Sequence, residues 1–326
     1  MSNQWENESF YFGEENFKEC MTAKVAPLLS RFCMEGYLRL EERGKIHYHY
    51  LIHPNPKGTI VISHGFCEGF FKYHEVMYYF YQAGYSVFLP EMRGHGYSTR
   101  EVENRDMVHI TDFSEYVEDF RDFVDRVVLT KTNHDRLILF CHSMGGCVGA
   151  LFLEQYPTYF SRAILSSPML MMRWNDTNPV LVSLLLLWSK ICGWNERYMP
   201  GQHDFVPQSP YPKCSAISKA RYDYQFRLRK AHLEYRTTGG DYSWGRAASR
   251  GMKQAIRNAN RIQIPVLLLS AGQDALVSPK GQHRFAANNP KVRLEEFPNS
   301  KHEIFNADAT DRLTYYKMVF QFMEEE

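Results

Sequence analysis

The feature that most constrains the fold of this chain is the stretch LILFCHSMGGCVGA, which begins at Leu137 and ends at Ala150. An apolar run predicts a buried strand, and the small residues that follow the serine predict a helix. Ser143 therefore falls on a strand-to-helix turn of the kind that strains a serine backbone and projects its hydroxyl. We interpret Ser143 as a nucleophile. Serine is also a common helix N-cap, so this interpretation depends on finding its catalytic partners.

Apolar runs alternate with helical segments along most of the chain. Two runs near residues 36–52 flank an Arg-Gly turn and predict a hairpin. Further buried strands are predicted in GTIVIS, YSVFLP, RLILFCH, RAILSS, PVLLLSA and VRLEEF, with helical periodicity near residues 72–83, 112–128, 144–155 and 310–323. This alternation indicates an α/β fold with a mostly parallel sheet that is covered by helices on both faces.

The alternation stops between Pro168 and Arg261, where the sequence is helical, aromatic and interrupted by proline and glycine. We interpret this part as an inserted helical cap over the carboxyl ends of the strands, where open α/β sheets bind their ligands. The predicted division is a core formed by residues 1–167 and 263–326, with a cap formed by residues 168–262. No internal repeat is visible.

A serine nucleophile needs a histidine base and a carboxylate that orients it. In folds of this kind the order along the chain is serine, acid, histidine. Asp274 follows the apolar strand that contains VLLLSAG, and His302 follows the last predicted strand. Each of the three residues therefore lies beyond the carboxyl end of a strand, and we predict the triad Ser143, Asp274 and His302.

The oxyanion hole of such a site needs two backbone N–H groups. We expect one from Met144, which follows the nucleophile, and one from Phe66, in the His-Gly turn after the early strand. The RGHGYS segment (93–98) lacks the spacing of a phosphate loop, so we interpret it as a structural turn that borders the site. His142 is assigned no chemistry, and no residue cluster has convincing spacing for a metal.

Composition excludes several classes of protein. Of the 326 residues 44% are hydrophobic, so the chain is long and apolar enough for a large core, and its net charge of +1 favours no particular partner. Seven cysteines without a ligand pattern are typical of free thiols in a reducing cytoplasm. The polar, acidic start does not resemble a signal peptide, and the apolar run at 180–189 reaches about 15 Å, too short to span a bilayer. We expect a cytoplasmic protein.

Five motifs in this order and spacing, SHGFCEG, RGHGYS, HSMGG, SAGQD and KHEIF, resemble the α/β-hydrolases of the monoacylglycerol lipase and lysophospholipase type. The similarity runs from about residue 36 to the end, and GGDYSWGRAA (239–248) is most similar to bacterial lysophospholipases. The resemblance implies an eight-stranded sheet with a helical lid, the same triad and oxyanion donors, and no cofactor. Two positions depart from the family pattern: Cys141 replaces the usual glycine, and Glu91 stands where an aspartate is common.

The function that the resemblance implies is hydrolysis of a lysophospholipid or monoacylglycerol ester through an acyl-enzyme. Alternatives are an aminopeptidase of the same fold and a non-catalytic lipid-binding relative. From Phe205 to Ile262 the chain carries twelve Lys or Arg and three acids, an excess that disfavours binding of a substrate amine. Basic residues such as Arg227, Arg229 and Lys230 predict peripheral contact with an anionic membrane, whereas nucleic acid is not an expected partner. The oligomeric state stays open.

Overall fold

The computed structural model describes residues 3–132, 136–173, 178–208 and 211–325, so residues 174–177 and 209–210 of the predicted cap lie outside it. Ten strands are defined in these ranges. They are β1 (Met34–Arg39), β2 (Lys45–Leu51), β3 (Gly58–Ser63), β4 (Tyr85–Pro90), β5 (Met107–Val108), β6 (Leu137–His142), β7 (Arg162–Ser166), β8 (Gly239–Gly240), β9 (Val266–Ala271) and β10 (Val292–Phe297).

Eight of these strands form one sheet in the order β1-β2-β4-β3-β6-β7-β9-β10. From β4 through β10 all neighbours in this order are parallel, while β2 pairs antiparallel with both β1 and β4. The predicted hairpin is therefore β1–β2, and the prediction of a mostly parallel eight-stranded sheet is confirmed. The two short strands β5 and β8 pair with each other outside the sheet.

Helices cover both faces of the sheet. They are α1 (Phe17–Cys20), α2 (Ala26–Phe32), α3 (His74–Gln82), α4 (Ser114–Phe123), α5 (Leu129–Lys131), α6 (Met144–Gln155), α7 (Pro179–Ile191), α8 (Lys219–Ala231), α9 (Tyr242–Arg257), α10 (Pro279–Ala287) and α11 (Ala309–Glu324). The segment predicted as one helix over 112–128 contains α4 and a π-helical continuation, Val124–Val128.

The central strands are apolar throughout because each of their two faces contacts a different core. In β6, Leu139 and Cys141 lie in the core shared with α4, α6 and α9, whereas Ile138 and Phe140 lie in the core shared with α3 and α11. Side chains alternate along a strand, so a sheet covered on both sides needs apolar residues at every position. The second core also contains Trp5 and other aromatic residues of the N-terminal segment, whose burial is not predicted from the sequence.

The described residues of the predicted cap region form three α-helices. The first, α7, packs on α9, and α8 packs on α1 of the N-terminal segment. Helix α9 buries nine residues and packs against α6, so it belongs to the layer that supports the sheet. The division at residues 168 and 262 stays a prediction. None of the helices in the described ranges combines the length and the apolarity that crossing a bilayer requires.

Candidate active site

Ser143 lies between the last residue of β6 and the first residue of α6. Its backbone has φ 52° and ψ −118°, a conformation that is unfavourable for any residue other than glycine. The strain is held in place by hydrogen bonds on both sides: the Ser143 N–H donates to the Ser166 carbonyl at 3.0 Å, and the Ser143 carbonyl accepts from the Met169 N–H at 2.8 Å. Strand and helix thus hold the side chain at the carboxyl edge of the sheet.

The residues on either side of this turn are small because strand and helix approach closely. A Cβ at Gly145 would lie 2.0 Å from the Ser63 carbonyl oxygen, which belongs to the backbone and cannot move aside. Cys141, where the family pattern has glycine, is fully buried, and a Cβ at Gly149 would lie 2.4 Å from its Sγ. Gly149 therefore provides the space for the larger side chain at position 141.

The predicted acid and base are in direct contact. His302 Nδ1 lies 2.6 Å from Asp274 Oδ2, and the N–H groups of Leu276 and Val277 donate to Asp274 Oδ1 at 2.8 and 3.0 Å. Burial alone would raise the pKa of Asp274, but the hydrogen bonds from His302 and the two N–H groups outweigh it, so the pKa lies below its ordinary value. An ionised Asp274 holds the His302 ring through Nδ1, and Nε2 makes no hydrogen bond with the residues that the structure describes.

Ser143 borders an apolar cavity of about 710 Å³ together with Phe66 and the Leu276–Val277 part of the Asp274 loop. The ring of the preceding residue, His142, has its centroid 4.9 Å from that of His302. Ser143 and the loop that follows Asp274 thus border the same cavity, and His302 is bonded to Asp274. Within the described chain the Ser143 hydroxyl makes no hydrogen bond with His302; such bonds are often long without substrate and tighten when it binds.

Two backbone N–H groups next to this cavity have no acceptor within the part of the chain that the structure describes. One is the N–H of Met144, at the first position of α6, and the other is that of Phe66. The loop that carries Phe66 is held by His64, whose Nδ1 lies 2.8 Å from the Gly65 carbonyl while its Nε2 accepts from the Met92 N–H at 2.9 Å. Because Nε2 accepts a hydrogen bond, the His64 ring carries its proton on Nδ1 and donates it to the Gly65 carbonyl.

A buried ionic network behind this loop was not anticipated from the sequence. Glu68 accepts from the Gly65 N–H at 2.7 Å and lies 2.7 Å from Lys72 Nζ and 3.0 Å from His142 Nδ1, and Lys72 also reaches Glu303 at 2.6 Å. Burial would raise the pKa of Glu68, but His142 and Lys72 lower it well below its ordinary value. The network links the residues before Ser143 and after His302. The feature of the sequence that could have indicated this network is Glu68, an acidic residue within an otherwise apolar and glycine-rich turn.

Glu91 also has a defined role in the architecture. Its buried carboxylate accepts hydrogen bonds from the N–H groups of Phe70 and Tyr97 at 3.1 and 2.9 Å. A Cβ at Gly96, which has φ 51°, would lie 2.1 Å from that carboxylate, so the glycine leaves room for the longer acid. The RGHGYS segment is therefore a turn built around Glu91, in agreement with its interpretation as structural.

The fold and the geometry of this site define an α/β-hydrolase. The chain belongs to the family described as serine aminopeptidase S33, whose profile matches residues 54–308. It is 26% identical over 317 residues to a probable lysophospholipase L2 of Haemophilus influenzae, covering 95% of this chain and 98% of the relative. It is 29% identical over 258 residues to the monoacylglycerol lipase of Mycolicibacterium smegmatis, covering 77% of this chain and 83% of the relative.

A solved structure gives the same fold. A soluble variant of monoglyceride lipase from Saccharomyces cerevisiae, in complex with a substrate analog, superposes with a TM-score of 0.72 and 19% identity, covering 89% of this chain and 94% of that one. These relatives confirm the resemblance stated from the motifs. The protein is a carboxylic ester hydrolase of the α/β-hydrolase fold.

Proposed function

We propose that this protein releases a fatty acid from a lysophospholipid or a monoacylglycerol through an acyl-enzyme intermediate. The observation that carries the proposal is the strained Ser143 at the edge of an apolar cavity, beside the hydrogen-bonded pair of Asp274 and His302. Relatives named lysophospholipase and monoacylglycerol lipase support the substrate class. No cofactor takes part in this chemistry.

In the proposed mechanism Ser143 Oγ attacks the ester carbonyl while His302 Nε2 takes its proton. The N–H groups of Phe66 and Met144 stabilise the oxyanion, and removal of one such donor typically costs about 10²–10³ in kcat. Collapse of the tetrahedral intermediate expels the alcohol, which receives the proton from His302. Water then attacks the acyl-enzyme, with His302 as the base, and the fatty acid leaves.

The walls of the cavity support an acyl chain as the bound group. They include Met169, Met172, Leu185, Leu186 and Trp244, which are apolar side chains from the core and from α7. A volume of about 710 Å³ is in the range of pockets that enclose small organic ligands. Burial of an acyl chain in this cavity is favourable by about 25 cal/mol for each Å² of apolar surface removed from water.

The test is the hydrolysis of p-nitrophenyl esters of graded chain length, a lysophospholipid, a monoacylglycerol and an aminoacyl amide. We expect activity on the lipid esters, and we expect Ser143→Ala to lower kcat by about 10⁴-fold or more, with little change in stability. Ser161→Ala is the matched control, since its hydroxyl donates to the Leu137 carbonyl far from the cavity. Equal turnover by the wild type and Ser143→Ala would refute the mechanism and favour a non-catalytic binding role.

The aminopeptidase alternative is tested in the same assay. A substrate amine needs a carboxylate in the pocket, and the residues that line the cavity in the described ranges include Arg173 but no acid. The family description alone favours this alternative. Faster turnover of the aminoacyl amide than of the esters would show that the substrate is a peptide and not a lipid ester.

We also propose that the predicted cap contacts the membrane from which the substrate comes. The support is the outer face of α7, where six large apolar side chains are exposed: Val180, Leu181, Leu184, Leu187, Trp188 and Ile191. The basic residues contribute less than the sequence suggested, because Arg229 donates to the carbonyls of Tyr235 and Thr237 inside the fold. The apolar face would therefore supply most of the free energy of membrane binding. The other basic side chains of the predicted cap would favour anionic lipid.

A further inference from the structure

A second group of chemically reactive side chains lies on the hairpin, away from Ser143. His47 and His49 are two residues apart on β2 and therefore share one face of the sheet. Glu35 on β1 is the cross-strand partner of His49, so its side chain lies on the same face. Glu35 and His47 are twelve positions apart along the chain. The antiparallel register, which sequence spacing does not reveal, brings the three together.

The distances among these side chains are those of a metal site. Glu35 Oε2 lies 3.6 Å from His47 Nε2 and 3.8 Å from His49 Nδ1, and one ligand atom from each residue lies within 4.8 Å of the others. Ligands about 2.0–2.2 Å from a tetrahedral zinc ion are themselves about 3.3 Å apart. A small movement of Glu35, whose side chain is mostly exposed, would shorten its distances to both imidazole nitrogens to this separation.

The orientation of His47 supports a cation between the groups. Its Nδ1 lies 2.9 Å from Oε2 of the fully buried Glu91, so the ring donates its Nδ1–H to that carboxylate. Nε2 then faces the Glu35 carboxylate at 3.6 Å, and these two acceptor atoms repel each other unless a proton or a metal ion lies between them. A carboxylate that accepts the distal N–H of a histidine is the usual outer partner of a zinc ligand.

His49 is buried, and Nδ1 is the nitrogen of its ring that faces Glu35. Its side chain is about 94% buried and stacks on Phe70 at a centroid distance of 3.6 Å. Its Nε2 has no hydrogen-bond partner among the residues that the structure describes. The ring lines a cavity of about 370 Å³, whose wall also includes His232 and Tyr235 near the end of α8.

We propose that Glu35, His47 and His49 bind one zinc ion, with its remaining coordination position open to this cavity. Two imidazole nitrogens and one carboxylate oxygen are a ligand set that zinc commonly takes. Through His47 the ion is connected to Glu91, which also binds the Phe70 N–H in the loop that follows Phe66. Zinc therefore stabilises the hairpin and the adjoining loop, and it takes no part in ester hydrolysis.

The test uses untagged protein that has been treated with EDTA and then titrated with ZnCl₂ by calorimetry, with metal content measured after dialysis. We expect one zinc ion per chain and a rise in melting temperature on binding. Glu35→Gln keeps the size of an exposed side chain and should weaken zinc binding by at least about tenfold. His49→Gln should do the same, and Glu35→Gln remains informative if the buried substitution prevents folding.

Glu296→Gln is the matched control. Glu296 Oε1 lies 2.8 Å from Nε2 of His283, an exposed pair with a single imidazole, so the loss of this carboxylate should leave zinc binding unchanged. A wild type that binds no zinc, or a Glu35→Gln variant that binds zinc as tightly as the wild type, would overturn the proposal. Because these measurements do not depend on ester hydrolysis, they stand apart from the test of the proposed function.

Discussion

The surroundings of Ser143 and the outer face of α7 differ in how far their side chains are buried within the protein. Around Ser143 the side chains of His142, Asp274 and His302 are buried, and the backbone of the turn is bonded on both sides. On α7, six large apolar side chains are between 55% and 69% exposed. The side chains around Ser143 contact other parts of the protein, whereas those on the outer face of α7 contact the surrounding solvent or lipid. Substitutions in the two regions should therefore have very different effects.

The largest effect is expected for Asp274→Asn. An asparagine fits the same space but does not hold His302 in the tautomer that accepts the Ser143 proton, so kcat should fall by about 10⁴-fold. The measurement is the hydrolysis of a soluble p-nitrophenyl ester. Asp311→Asn is the control, because Asp311 accepts from the Ser300 hydroxyl and, among the described residues, forms no hydrogen bond with His302. A loss of less than about tenfold in Asp274→Asn would remove this residue from the mechanism.

A pair of glycine substitutions compares the two regions directly. Gly145→Ala places a methyl group 2.0 Å from the Ser63 carbonyl oxygen, so the free energy of unfolding should fall by about 3 kcal/mol. Gly193, just after α7, has φ 68°, and apart from its chain neighbours no atom of the described residues lies within 4 Å of its Cβ position, so Gly193→Ala should cost only about 1 kcal/mol of backbone strain. Urea denaturation measures both. Equal losses of unfolding free energy in the two variants would show that the turn at Ser143 is no more sterically constrained than the chain after α7.

Glu68→Gln should destabilise the protein by about 2 kcal/mol at neutral pH, because Lys72 loses a buried anionic partner. The folded state lowers the pKa of Glu68, so its contribution to stability is present above the ordinary glutamate pKa and is lost as pH falls through the folded value. The difference between wild type and variant should therefore shrink below about pH 4. Urea denaturation at several pH values tests this, and a constant difference would contradict it.

Much of the core was predictable from the sequence because its strands are buried on both faces and read as continuous apolar runs. Helix α6 was predicted at its observed bounds, Met144–Gln155, since glycine and small residues mark its start. The positions of Asp274 and His302 beyond β9 and β10 followed from the order of strands, and the two side chains are hydrogen-bonded. Their catalytic roles stay predictions until the variants are measured.

Features that depend on contacts between distant segments were not predictable. The pairing of Lys72 with Glu303 joins residues 231 positions apart, and no local pattern marks it. Glu35 lies opposite His49 only because of the register of a hairpin, so no metal-ligand spacing is visible along the chain. The aromatic N-terminal segment packs against α3 and α11, although its polar, acidic composition gave no sign of burial.

The smallest effect on stability is expected on α7. Leu184→Gln and Leu187→Gln change exposed side chains, so each should alter the free energy of unfolding by less than about 0.5 kcal/mol and leave hydrolysis of a soluble ester unchanged. Binding to lipid vesicles should nevertheless fall by about tenfold for each substitution, because a leucine that enters the lipid contributes about 1.5–3 kcal/mol.

Sedimentation with phosphatidylcholine vesicles, with and without phosphatidylglycerol, measures this binding at low and high salt. Lys317→Gln is a control from α11, outside the predicted cap, and should bind like the wild type. If the α7 variants bind as tightly as the wild type, the exposed face has another partner. If binding is also indifferent to anionic lipid and to salt, the basic residues near α8 have no role in it, because surface charge attraction is screened by ions whereas apolar burial is not.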